Sequence, residues 1–241
     1  MNSTSSGDFG ELVLFLRAFS LQAITDDSVR LAALKRAHKQ FLAILTVASE
    51  LMDNSSVVGK KFAVIYGQPG AAYLGEVVSD CSEFMMSLVL GMHRSAGGTL
   101  RSAIESYLKA FSAVQVPEIL TRTSVPQVFA DAENSAMFTA GVGKEGIAEL
   151  KGYYSQLNSF VHTVSAQHMF SALAIGSFPR WPATTDTLVE TFTKVTRVFI
   201  WTIVGMRRDL YDQFDHRNKA IAVQAMTRVQ RRRALGVDDP A

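Results

Sequence analysis

Helical spacing of apolar residues is the clearest signal along the chain. After ThrAspAspSer at Thr25–Ser28, a sequence suited to capping a helix, Leu31, Leu34, His38, Phe41 or Leu42, Leu45 and Met52 recur at helical intervals. This predicts a helix to about Met52, ended by Asp53–Ser56. His38 falls on its apolar stripe and reads as a core or boundary histidine rather than a ligand. Upstream, residues 1–8 read as a flexible lead-in and Leu12–Phe19 as a short helix. Near the other end, Leu188, Phe192, Val195, Phe199, Ile203, Met206, Leu210 and Phe214 keep the same period from about Thr185. The helix they predict continues as a basic tail to about Arg233.

The middle of the chain is punctuated by glycine and proline. Asp80 with Glu83 three positions later reads as a capping box that opens a helix burying Phe84, Leu88 and Met92. Gly97 and Gly98 interrupt it, and Thr99 caps a continuation to about Ala113. Pro117 and Pro126 bracket a loop or short helical turn. A second glycine-rich break at 141–146 precedes a long helix from about Lys144 to Ile175, stopped by the prolines at 179 and 182. Residues 57–79 are the least legible: Lys61–Tyr66 has the composition of a strand without a partner strand, and Gly67–Gly70 reads as a turn. The sum is an all-α fold, an antiparallel helical bundle of about five long helices with short connecting loops. Its organisation is expected to be a flexible 1–8, a single domain over 9–218, and a basic helical extension and tail over 219–241.

Composition narrows the classes. The chain has 241 residues, 48% hydrophobic and 19% charged, enough apolar material for a substantial core. Its most apolar runs, Phe41–Ala48 and Val198–Gly205, fall far short of the roughly 18 residues a spanning helix requires. The polar, acidic start lacks the basic region of a signal peptide, so the expected setting is cytoplasmic, without a membrane. The single cysteine, Cys81, has no partner for an internal disulfide or a metal knuckle. A net charge of +2 conceals an asymmetry: 194–233 carries ten basic and three acidic residues, which is +7 and leaves −5 elsewhere. That basic end is a solvated helix surface, a nucleic-acid footprint, or a counterpart to the chain's own acidic body.

Candidate chemistry concentrates in two stretches, Gly97–Lys109 and Tyr153–His162. Tyr154, Asn158 and His162 are successive i, i+4 neighbours on the edge of an apolar face. Arg101 and Glu105 are one turn apart on the preceding long segment, in an order that gains little as an exposed pair. Two readings stand. In one, these groups form a satisfied network that fixes helix register. In the other, Arg101 holds a phosphate or carboxylate, His162 exchanges protons near neutral pH, and the Thr99 and Leu100 amides with Arg94 add an anion site. No cofactor is expected. Gly67–Gly70 and Gly143–Lys144 lack the spacing of a phosphate loop. The five histidines lack metal-binding spacing, so no metal ligands are assigned.

LeuArgSerAlaIleGluSerTyrLeuLysAla, followed about fifty residues on by TyrTyrSerGlnLeuAsnSerPheValHis, resembles a pattern in bacterial helical proteins of the HEPN-like kind, which occur around toxin–antitoxin and phage-defence systems. The resemblance spans Thr99–His162. It implies a helical bundle that often dimerises, with RNA or a nucleotide as ligand. In active members it implies metal-independent RNA cleavage, with an arginine and a histidine acting on the ribose 2′-hydroxyl. Those members place the arginine ahead of the histidine on one helix, with four to six residues between the two. Here the slots before His162 hold Ser155, Gln156 and Leu157, so ribonuclease chemistry would require Arg101 from another helix, with Glu105, Tyr154, Asn158 and Arg94 in support. The alternative is a non-catalytic interaction protein that docks a partner or second copy on the stripe through Phe192, Phe199 and Trp201.

Overall fold

In the computed structural model, residues 3–18, 21, 25–161, 181 and 184–236 are described, and among them the fold is all-α. Six helices carry the architecture: α1 (Ser3–Ala18), α2 (Ser28–Met52), α3 (Val57–Val89), α4 (His93–Ser112), α6 (Gly141–Val161) and α7 (Thr184–Met206). A 3-10 turn at Pro117–Thr121 and the short α5 (Val125–Ala132) connect α4 to α6. Three short helices close the chain: α8 (Arg208–Tyr211), α9 (His216–Ala225) and α10 (Arg228–Leu235).

The predicted stripe on α7 lies in the core, but burial extends well beyond it. Val189, Val198, Ile200, Trp201 and Val204 are buried alongside Leu188, Phe192, Val195, Phe199 and Ile203. A helix apolar on nearly every side must be surrounded, and α7 packs against α2, α4, α6, α8, α9 and α10. Phe192 stacks on Phe84 of α3 at 4.3 Å, and Phe199 on Tyr107 of α4 at 4.2 Å. The stripe expected to receive a partner is therefore the protein's own interior. Trp201 is buried with it.

Several local expectations are corrected. Lys61–Tyr66 is helical. Ser56 caps α3 by accepting from the Gly59 amide at 2.9 Å, and Val58, Phe62 and Tyr66 fall on one buried face. Val64 is left 85% exposed, so tertiary packing selects the helical period over the strand preference of these residues. The predicted turn is a kink inside α3: Gly67 adopts φ 63°, and Pro69 opens the resumed helix. Asp80 is consequently a buried mid-helix residue and caps nothing. The first helix begins at Ser3, within the stretch read as a lead-in. It is tied down by Asp8, which pairs with His38 Nε2 at 2.8 Å. His38 is buried, as its place on the α2 stripe implies.

Gly97 and Gly98 do not break α4. A Cβ at Gly97 would lie 2.9 Å from the Cβ of Phe160, so this glycine lets α6 approach closely. Gly146 does the same between α6 and α7, where a Cβ would lie 2.2 Å from Thr202 Cγ2. The expected run of α6 from residue 162 to Ile175, together with its proline stop, lies outside the described residues.

The C-terminal end is not one helix. Arg207 turns back onto Asp209 with two hydrogen bonds of 2.9 Å, Asp215 caps α9, and Thr227 with Gln230 forms a capping box for α10. Nor is 219–235 an appendage: α9 crosses residue 218, and the Ala225 carbonyl accepts from Gln40 of α2 and Arg197 of α7. Much of the basic charge meets the chain's own acids, in Arg233–Glu145, Arg208–Asp212, Arg207–Asp209 and Lys194–Glu190. Among the described residues, no single helix is long and apolar enough to cross a membrane.

Candidate functional site

The α4–α6 contact brings together three of the predicted site residues. Gly97 sets the approach. One helical turn further along α4, Arg101 reaches Tyr154 of α6, donating from a terminal guanidinium nitrogen to the tyrosine hydroxyl at 2.6 Å. That hydroxyl donates in turn to Glu105 Oε1 at 2.8 Å. The Arg101 guanidinium also lies 4.6 Å from the centre of the Tyr154 ring. Tyr154 thus stands between a cation and a carboxylate that occupy adjacent turns of α4. Its own burial pushes the hydroxyl pKa up to about 12; the Arg101 hydrogen bond works against that rise and Glu105 adds to it.

Arg101 differs from several other arginines of the chain. Arg122, Arg207, Arg208 and Arg233 each touch a carboxylate directly. None of the ion pairs among the described residues includes Arg101, and its Nε is buried without a hydrogen-bond partner. A half-buried guanidinium met only by a neutral hydroxyl has an incompletely compensated charge.

Beside this network lies a pocket of about 500 Å³. Arg101 and Tyr154 line it, with Lys151, Ser155 and Asn158 from α6 and an apolar wall of Val125, Pro126 and Phe129 from α5. Phe129 meets the Tyr154 ring edge-on at 5.8 Å, and Lys151 lies over Phe129 while its ammonium pairs with Glu133. An Arg122–Asp131 pair at 2.7 Å holds the approach to α5 against the end of that helix. Asn158 Oδ1, like Arg101 Nε, is buried without a partner. A concave site with two cations, a few hydrogen-bonding groups and an apolar wall is suited to an anion that carries an apolar or ring-shaped body.

Behind the network, on α3, sits Asp80. It is buried, and its Oδ2 has no hydrogen-bond partner. Burial raises its pKa to about 6; a hydrogen bond with Ser102 opposes the rise, while Glu76, Glu83 and Glu105 reinforce it. Among the described residues, no three His, Cys, Asp or Glu side chains assemble as a metal site.

Arg101, Glu105 and Tyr154 therefore form one network, with Asn158 on the adjoining wall. Arg94 is exposed and does not line the pocket. The anion site expected at the Thr99 and Leu100 amides does not form, because both residues lie within the uninterrupted α4 and the Thr99 hydroxyl bonds back to Ala96. His162 and His168 lie outside the described residues. Sequence reasoning missed Lys151 and Ser155, although each is three residues before a predicted site residue on the same helix. It also missed the α5 wall, for which no local spacing gives a signal.

Comparison with family models, with curated proteins and with solved structures finds no match.

Proposed function

We propose that this is a nucleotide- or RNA-binding helical protein of the HEPN-like kind, an effector or accessory of a defence or toxin–antitoxin system, which holds a phosphate at Arg101. The observation that carries the reading is the Arg101 guanidinium, half-buried on the wall of a pocket, supported by Tyr154 and Glu105, and paired with no carboxylate. A phosphate would supply the missing counter-charge through a charge-assisted hydrogen bond. Lys151 at the same pocket, its ammonium paired with Glu133, adds a second cation that a phosphate would share with that carboxylate. The five helices of twenty residues or more are read as an antiparallel bundle with this pocket on its flank.

The reading is one of binding. Cleavage would require a histidine beside Arg101, the role that the resemblance gives to His162. The test is fluorescence anisotropy with a labelled single-stranded RNA and with labelled nucleotides, for the wild-type protein, Arg101→Ala and His162→Ala. Binding that weakens as salt rises and falls at least tenfold in Arg101→Ala is expected. Equal binding by Arg101→Ala, or none at low salt, overturns the reading. Gel analysis of the same RNA reports whether His162→Ala removes any cleavage.

A further inference from the structure

We infer that the pocket takes a single nucleotide unit in one orientation, phosphate toward Lys151 and Arg101 and base edge at Asn158. The inference rests on the anion-binding reading above.

The wall contributed by α6 has a direction. Lys151, Tyr154 and Asn158 follow one another along one face of the helix, and the seven steps from Lys151 to Asn158 rise about 10 Å at about 1.5 Å per residue. One end of that wall is the Lys151 ammonium, which Glu133 also contacts, and the other an amide. Arg101 reaches the middle of it, since its hydrogen bond goes to Tyr154. Opposite runs the α5 wall of Val125, Pro126 and Phe129, which offers apolar surface and no charge. An inorganic anion would use the cationic end and leave the rest of the pocket empty. A ligand with an anionic end, a flat apolar body and a hydrogen-bonding far edge fills all three parts, and a nucleotide has that chemistry.

Asn158 supplies the independent observation. Its Oδ1 is buried without a partner, although the residue lines the pocket. An unmet buried acceptor is costly, and rotation about a broad terminal torsion presents it to the pocket. Every nucleobase carries an N–H that can satisfy it at the far end of the ligand, whereas the hydroxyl donors of a bare sugar phosphate lie nearer its phosphate than the roughly 10 Å from Lys151 to Asn158. Asn158 is a specificity residue on this view, and Arg101 and Lys151 are anion ligands.

The test is isothermal titration calorimetry with uridine 5′-monophosphate, adenosine 5′-monophosphate, ribose 5-phosphate and an RNA trinucleotide without terminal phosphates. Wild type, Asn158→Leu and Lys151→Ala are compared, with circular dichroism to confirm folding. Nucleotides are expected to bind about tenfold or more tighter than ribose 5-phosphate, the equivalent of one satisfied buried hydrogen bond. Asn158→Leu is expected to abolish that difference while leaving ribose 5-phosphate binding unchanged, and Lys151→Ala to weaken both. If ribose 5-phosphate binds as tightly as the nucleotides and Asn158→Leu changes nothing, the base contact is refuted and the anion site stands. If the trinucleotide binds and the mononucleotides do not, the single-unit inference fails while RNA binding survives. If no ligand binds, the anion-binding reading fails, and this inference with it. A misfolded Asn158→Leu is replaced by Asn158→Ser, for which the same nucleotide-specific loss is required.

Discussion

The Arg101 guanidinium lies 4.6 Å from the centre of the Tyr154 ring and donates a 2.6 Å hydrogen bond to the hydroxyl of that same residue. One side chain thereby receives a cation on its face and at its tip, and passes the hydrogen bond on to Glu105. Tyr154→Phe separates the two contacts, because it keeps the ring and deletes the hydroxyl. Arg101 and Glu105 are then each short of a partner in a partly buried place, which costs about 1–3 kcal/mol. Urea unfolding monitored by circular dichroism measures the loss. Because burial raises the Tyr154 pKa to about 12, the hydroxyl stays protonated and the loss should be the same at pH 7 and pH 9. Unchanged stability in Tyr154→Phe would mean that the network carries no weight in the folded protein.

Adjacent glycines on α4 should respond in opposite directions to the same substitution. A Cβ at Gly97 would be 2.9 Å from the Cβ of Phe160, whereas one at Gly98 would meet nothing within 4 Å. Gly97→Ala forces α4 and α6 apart and should destabilise by about 1–3 kcal/mol. Gly98→Ala should stabilise by about 0.5–1 kcal/mol, since alanine loses less backbone freedom in a helix. Thermal unfolding of the two variants reads this directly: Tm falls for the first and rises for the second. Two falls, or two rises, would contradict the helix crossing described for this pair.

The glycine pair also shows where sequence reading stopped. GlyGly is a reasonable helix break by local propensity, and only the facing residue Phe160 reveals that close approach is the reason for glycine at 97. The same limit applied at Lys61–Tyr66, where β-branched and aromatic residues resemble a strand until the buried positions Val58, Phe62 and Tyr66 show a helical period. What was legible had long, uninterrupted periodicity: α2, the α7 stripe, and the α6 edge that carries Tyr154 and Asn158. The link from Arg101 and Glu105 to Tyr154 was open to sequence reading because each partner sits on a regular helix. The α5 wall was not, since its position is set by Val128, Phe129 and Ala132 packing on α4, a tertiary contact that a helix of eight residues does not announce in its own period.

Burial of the α7 stripe changes what a mutation there should do. Phe192 stacks on Phe84 at 4.3 Å with the rings 5° from parallel, and both are fully buried. Phe192→Ala leaves a cavity between α3 and α7, which costs about 3–5 kcal/mol, a large part of the stability of an ordinary domain. The isolated protein should therefore show a greatly lowered denaturation midpoint or fail to fold. If Phe192→Ala kept wild-type stability and altered only association in light scattering, the aromatic stripe would be a docking face after all.

Asp80 gives the protein a distinctive pH response. Burial raises its carboxyl from an ordinary value of 3.8 to about 6 in the folded state, with Glu76, Glu83 and Glu105 opposing its charge. For an acid whose folded pKa is raised, the favourable contribution is present below the unfolded pKa and lost as pH rises through the folded one. Charging this buried group should thus remove stability between about pH 4 and about pH 6, by about 1–3 kcal/mol over the whole step. Other carboxylates act in the reverse sense: Arg207 and Lys61 hold Asp209 well below the usual carboxylate range, so that its contribution is lost only in stronger acid. The difference between wild type and Asp80→Asn isolates the Asp80 step. Asparagine cannot ionise, so Asp80→Asn should gain on the wild type progressively from pH 4 to pH 6 and stay more stable by a constant margin at pH 7–8. Denaturant midpoints at half-unit intervals provide the measurement. A difference that does not vary with pH would show that Asp80 titrates alike in the folded and unfolded chain, and would remove the carboxylate cluster behind Tyr154 as an influence on the fold.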